Sequence, residues 1–151
     1  MFKTIANLNN MNFLKNLFKS KLQKSGIVFI VEDNLVYAKT LENFIRSSFS
    51  DIKEIKIFPV GETCLLELNR KPDMIVIDYM LDTKYLDAAS GLEIIKQIRT
   101  QNPETNIILL SLQNDIEVVH EAIKKYNCSY VRKDEHTFDR IEEIITEIYS
   151  H

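Results

Sequence analysis

Short runs dominated by aliphatic residues recur along this chain, and between them lie longer stretches with the three- and four-residue spacing of amphipathic helices. The runs occupy residues 27–31, 55–58, 74–77, 107–110 and 130–132; the helical stretches occupy 35–48, 62–69, 91–100, 116–125 and 138–149. A strand that is apolar on both of its faces must be covered on both, as in a parallel sheet sandwiched between helices. Strict alternation of the two element types therefore predicts an α/β fold with a doubly wound five-stranded parallel sheet and five helices.

Composition removes the competing classes. With 45% hydrophobic residues and only three Gly and three Pro, neither a disordered nor a collagen-like chain is plausible. Cys64 and Cys128 are single and far apart, which suits packing in a reducing compartment rather than a disulfide framework. The longest unbroken apolar run, 27–31, has five residues, against the roughly 20 a spanning helix needs.

Charge divides the chain in two. Residues 1–25 carry five Lys and no acid, whereas all 22 acidic residues follow them. We read residues 1–24 as a basic N-terminal extension and 25–151 as an acidic domain. Such a domain repels nucleic acid phosphates and can host a cation, so no direct nucleic acid contact is expected. Within the extension Met11, Leu14, Leu17, Phe18 and Leu22 follow a helical step. Docking on the body or on a second copy, giving a homodimer, is favoured for this helix over a floppy leader and over contact with a membrane surface. Polar Asn7, Asn9, Asn10 and Asn12 interrupt any signal-peptide core.

In open parallel sheets the ligand crevice lies beyond the carboxyl ends of the strands, where the winding reverses. The residues found there are Glu32 and Asp33 after the first strand, Asp78 after the third, Ser111 after the fourth and Lys133 after the fifth. Singly they are ordinary: Asp33 and Ser111 suit helix N-caps, and Lys133 suits solvent. Jointly they bring three carboxylates, a hydroxyl and an ammonium to one rim. Two carboxylates about 4 Å apart repel by roughly 4 kcal/mol at an effective dielectric of 20, so a counter-cation is implied. Hard oxygen donors without His or Cys suit Mg²⁺ rather than Zn²⁺. A metal, Lys133 and Ser111 around Asp78 would serve phosphoryl transfer, with Asp78 as the carboxylate nucleophile.

Four segments, Ile30-Val31-Glu32-Asp33-Asn34, Pro72-Asp73-Met74-Ile75-Val76-Ile77-Asp78, Leu109-Leu110-Ser111 and Tyr130-Val131-Arg132-Lys133, occur in the order and at the spacing of a known pattern. Through them the chain resembles the response-regulator receiver domains of two-component signalling, over about residues 25–150. The resemblance implies a flavodoxin-like strand order and a cytoplasmic signalling phosphoprotein rather than an enzyme with a substrate of its own. It implies that Asp78 accepts phosphate from a sensor histidine kinase or phosphotransfer protein. It further implies Mg²⁺ on Asp33, Asp78 and the main-chain carbonyl of Met80, with Glu32 assisting through water. Ser111 and Lys133 would bind the phosphoryl group, and Tyr130 would turn inward with Ser111 as the switch.

Three features depart from that family pattern. Asp134 follows Lys133 where proline is usual, Leu112 follows Ser111 where a small residue is common, and the stretch 81–90 is longer than the usual loop. The chain ends at His151, directly after the last helical stretch, which leads to the expectation of a single-domain receiver whose output is contact with a downstream protein. Two alternatives stand beside it: a receiver-like interaction scaffold that works without phosphorylation, and a small Mg²⁺-dependent phosphohydrolase. Isolated glycines exclude a nucleotide-binding loop, and Met80, placed where a haloacid-dehalogenase-type phosphatase needs its second acid, excludes that class.

Overall fold

A computed structural model describes residues 24–81, 90–112 and 116–150. The amphipathic reading of the extension, except for Lys24, and most of the long stretch after Asp78 lie outside the described residues. The elements are β1 (Ile27–Val31), α1 (Leu35–Ser48), β2 (Glu54–Phe58), α2 (Gly61–Leu65), β3 (Met74–Asp78), α3 (Gly91–Gln101), β4 (Asn106–Ser111), α4 (Ile116–Lys124), β5 (Ser129–Arg132) and α5 (Thr137–Tyr149). All five strands are parallel, in the order β2-β1-β3-β4-β5, as the alternation of elements and the flavodoxin-like expectation require.

Side chains alternate across the sheet and divide the core into two layers. Phe29, Val31, Ile75, Ile77, Ile107 and Leu109 pack with Cys64, Ile94, Ile95, Ile98 and Ala122 from α2, α3 and α4. Val28, Ile30, Met74, Val76, Ile108 and Leu110 pack with Ala38, Leu41 and Ile45 of α1 and Ile141 and Ile145 of α5. β3 is buried along its whole length, and its last residue is Asp78. Both cysteines are buried thiols within the first layer, where burial raises their pKa to about 12 for Cys64 and about 11 for Cys128.

One element differs from the sequence expectation. The helix expected over 62–69 is split into α2 and a 3₁₀ turn, Leu68–Arg70, closed by Lys71 in the left-handed region at φ 53°. Contacts from elsewhere set this end: Asn102 Nδ2 donates to the Leu68 carbonyl at 2.9 Å, Lys56 pairs with Glu67, and Arg70 forks onto Glu54 at 2.6 and 2.7 Å. Helical periodicity cannot register such long-range anchors.

Candidate functional site

Register determines which residues share the rim. Val31 lies opposite Phe58 and Ile77, Asp78 opposite Leu110, and Ser111 opposite Arg132. Glu32, Asp33, Asp78, Ser111 and Lys133 therefore emerge at one end of the sheet, beside the switch in winding between β1 and β3. One carboxylate oxygen each from Glu32, Asp33 and Asp78 can be chosen so that all lie within 4.8 Å of one another.

Each acid has its own setting. Glu32 is 2% exposed and Asp78 6% exposed, while Asp33 is half-buried. Asn34, not Asp33, caps α1: its Oδ1 accepts from the Tyr37 amide at 3.1 Å. The Asn34 amide donates to Glu32 Oε1 at 3.0 Å, and the Met80 amide to Asp78 Oδ1 at 3.2 Å. Thus the sequence N-cap reading of Asp33 gives way to its neighbour, and Asp33 joins the acid group.

Lys133 crosses from the end of β5 to close the cluster. Its Nζ donates to Glu32 Oε2 at 2.8 Å and Asp78 Oδ2 at 2.9 Å. Burial lowers the ammonium pKa, but the two carboxylate hydrogen bonds outweigh this and leave it above its ordinary value. Burial likewise raises the Glu32 carboxyl, against the opposing hydrogen bond from Lys133. The Lys133 amide donates to the Ser111 carbonyl at 2.9 Å, which ties the ends of β4 and β5 together. Ser111 is buried; Tyr130, half-buried on β5, packs against the layer formed with α2, α3 and α4. Met80 reaches the crevice through its amide while its side chain is 54% exposed. Leu112 is 67% exposed at the edge of this rim.

Asp134 does not prevent Lys133 from reaching the acids, although the Lys133–Asp134 peptide is trans. Its carboxylate accepts from the His136 amide at 2.8 Å and from the Arg140 guanidinium at 3.1 and 3.2 Å. Its amide donates to Thr137 Oγ1 at 2.8 Å, and that buried hydroxyl contacts the carbonyls of Arg132 and Asp134 at 3.1 and 2.7 Å. This turn, together with the Tyr37 ring 4.4 Å from Lys133 Nζ, is the part of the site that sequence reasoning missed. Only the i and i+3 spacing of Asp134 and Thr137 hinted at it.

The Glu32, Asp33 and Asp78 carboxylates fit a divalent cation by their chemistry: they are hard oxygen donors, and the single Lys133 ammonium cannot offset all three. The other rim of the crevice is equally tight. A Cβ on Gly91 would lie 2.3 Å from the Asp78 carbonyl oxygen, so only glycine lets α3 start this close to the end of β3.

The same frame occurs in known proteins. The chain is 33% identical over 109 residues to the transcriptional regulatory protein YdfI of Bacillus subtilis, covering 71% of this chain and 47% of YdfI. It is 24% identical over 106 residues to a cyclic di-GMP phosphodiesterase of Thermotoga maritima, covering 70% of this chain and 26% of that protein. The chain thus spans less than half the length of these curated relatives. Among solved structures, the response regulator DrrB, a Thermotoga maritima OmpR/PhoB homologue, superposes with a TM-score of 0.67 at 25% identity, covering 82% of this chain and 52% of that one. The BeF3-activated DrrB receiver domain gives a TM-score of 0.65 at 25% identity, covering 83% and 97%. Residues 28–146 match the family model described as the response regulator receiver domain, and the chain belongs to that family.

Proposed function

We propose that Asp78 is the phosphoacceptor of a signalling switch, and that its phosphorylation controls binding to another protein. The observation that carries this is the Lys133 ammonium shared between the buried carboxylates of Glu32 and Asp78, with Asp33 alongside. Receiver domains are signalling phosphoacceptors that bind Mg²⁺ at an acidic pocket and meet histidine kinases and downstream effectors. Here Asp33, Asp78 and the Met80 carbonyl would hold the ion, with Glu32 acting through water. When bound, it offsets the charge gathering on the phosphoryl oxygens.

A carboxylate oxygen of Asp78 attacks phosphorus in a phosphohistidine of the kinase or phosphotransfer protein. The P–N bond breaks, its electron pair returns to the imidazole nitrogen, and that nitrogen takes up a proton. Lys133 then exchanges its contact with Asp78 for a phosphoryl oxygen, and the Ser111 hydroxyl takes another. Tyr130 follows Ser111 inward and remodels the face of α4, β5 and α5 that a target reads. Residues 25–151 would form this cytoplasmic receiver, with 1–24 as an appended helix that docks on the body or on a second copy.

Acetyl phosphate or phosphoramidate with Mg²⁺, followed by intact mass measurement, tests the proposal. A single phosphate adduct is expected, abolished in Asp78→Asn. No adduct with any donor, or an adduct that survives in Asp78→Asn, overturns it.

A further inference from the structure

Lys133 rests on a third support besides the two acids. Tyr37, in the first turn of α1, presents its ring to the ammonium at 4.4 Å from the ring centroid. The ring is held in turn: the Tyr37 amide is bound by the Asn34 cap, and Phe138 of α5 stacks with it at 6.3 Å with 20° between the planes. Phe138 itself packs against Phe44 at 5.0 Å. The Tyr37 hydroxyl, by contrast, is enclosed beside Thr137 and completes no hydrogen bond of good geometry among the described residues. What this position offers Lys133 is the face of the ring.

The chemistry of Lys133 explains why that face matters. An ammonium on a four-carbon stem is a mobile point charge, and carboxylates attract it with little directional preference. Both of its acidic partners also belong to the group that would hold a divalent cation. A neutral aromatic face does not compete for that ion, and it attracts the ammonium most strongly where water is excluded. We propose that Tyr37 is a positioning residue for Lys133, its ring holding the ammonium at the place from which it meets the phosphoryl group on Asp78. This rests on the reading of Asp78 as phosphoacceptor.

Two measurements on the full chain test it. In the wild type, the ε-methylene protons of Lys133, assigned by their loss in Lys133→Arg, are expected upfield because of the ring current. Tyr37→Phe, which keeps the ring and discards only the hydroxyl beside Thr137, is expected to retain that shift and most of the wild-type rate of adduct formation from acetyl phosphate. Tyr37→Leu and Tyr37→Met are expected to lose the shift and slow adduct formation by roughly five- to thirtyfold, while remaining folded by circular dichroism. Unshifted Lys133 resonances in the wild type overturn the ring contact whether or not any variant folds. A retained shift in Tyr37→Leu, or an unchanged rate in it, overturns the positioning role. Absence of adduct in the wild type, with the shift present, instead locates the failure in the phosphoacceptor reading and removes the positioning role with it.

Discussion

Glu32, Asp33 and Asn34 are consecutive, short-range neighbours with three different tasks. Asn34 satisfies the first turn of α1, Glu32 turns inward to Lys133, and Asp33 stays half-exposed beside them. The sequence identified the acids as a group because their positions after strands are readable. It could not assign the cap, since Asp and Asn serve nearly equally well there. Glu32 carries a testable cost. Its carboxyl is raised mainly by burial, against the Lys133 hydrogen bond, so ionising it costs more in the folded state than in the unfolded chain. That contribution is stabilising below the unfolded value near 4.5 and is lost as the pH rises through the raised folded value. Glu32→Gln is accordingly expected to melt higher than the wild type at pH 7 without divalent ions, with the gap closing as the pH falls below 4.5. Saturating Mg²⁺ should narrow or reverse the gap by stabilising the wild type preferentially. A melting temperature for Glu32→Gln below the wild type at pH 7 in chelator would contradict this account.

At the scale of elements, strands were the most legible parts, because an apolar run flanked by polar residues has few other uses. The strand ends and α1 follow the residue spacing closely. The end of α2 does not, because Asn102, Lys56 and Glu54 act on it from other elements. The turn from β5 to α5 shows the same limit. Asp134 departs from the family pattern, yet its carboxylate gathers the His136 amide and the Arg140 guanidinium. Those hydrogen bonds, the His136 amide foremost, hold its carboxyl below the usual range. Its stabilising effect is thus present above the unfolded value of 3.8 and lost as the pH falls through the depressed folded one. Because this turn carries Lys133, Asp134→Ala is expected to slow formation of the Asp78 adduct on the order of tenfold, as small misplacements of a reacting group do. Asp134→Asn, which keeps an acceptor for the His136 amide, should lie between the two. Equal initial rates for Asp134→Ala and the wild type would show that Lys133 needs no help from this turn.

The whole molecule is a sheet with distinct work at its two ends. YdfI and the phosphodiesterase carry different names yet share this part of their length, as expected when one frame serves several contexts. At the carboxyl rim Lys133 joins residues 55 and 101 positions away. At the opposite rim Asp73 performs a comparable joining role without chemistry. Its carboxylate accepts from the Ser25 amide at 2.7 Å, the Gly26 amide at 2.7 Å and the Tyr149 hydroxyl at 2.8 Å. The starts of β1 and β3 and the end of α5 are thereby fastened together. The sequence placed Asp73 in a family motif but offered no sign of this function, since Tyr149 lies 76 positions away. The Tyr149 phenol is raised by burial and by its hydrogen bond to Asp73. Its stabilising effect is present below the unfolded value near 10 and is lost only at higher pH. Tyr149→Phe at pH 7 should cost about 1.5 kcal/mol, the contribution of a hydrogen bond to a charged acceptor, and lower the melting temperature by ~4 °C. Being at the far end from Asp78, it should leave the rate of adduct formation unchanged. If melting were unaffected, the contact would contribute nothing to stability; if phosphorylation slowed while melting held, the two rims would be coupled through α5 rather than independent.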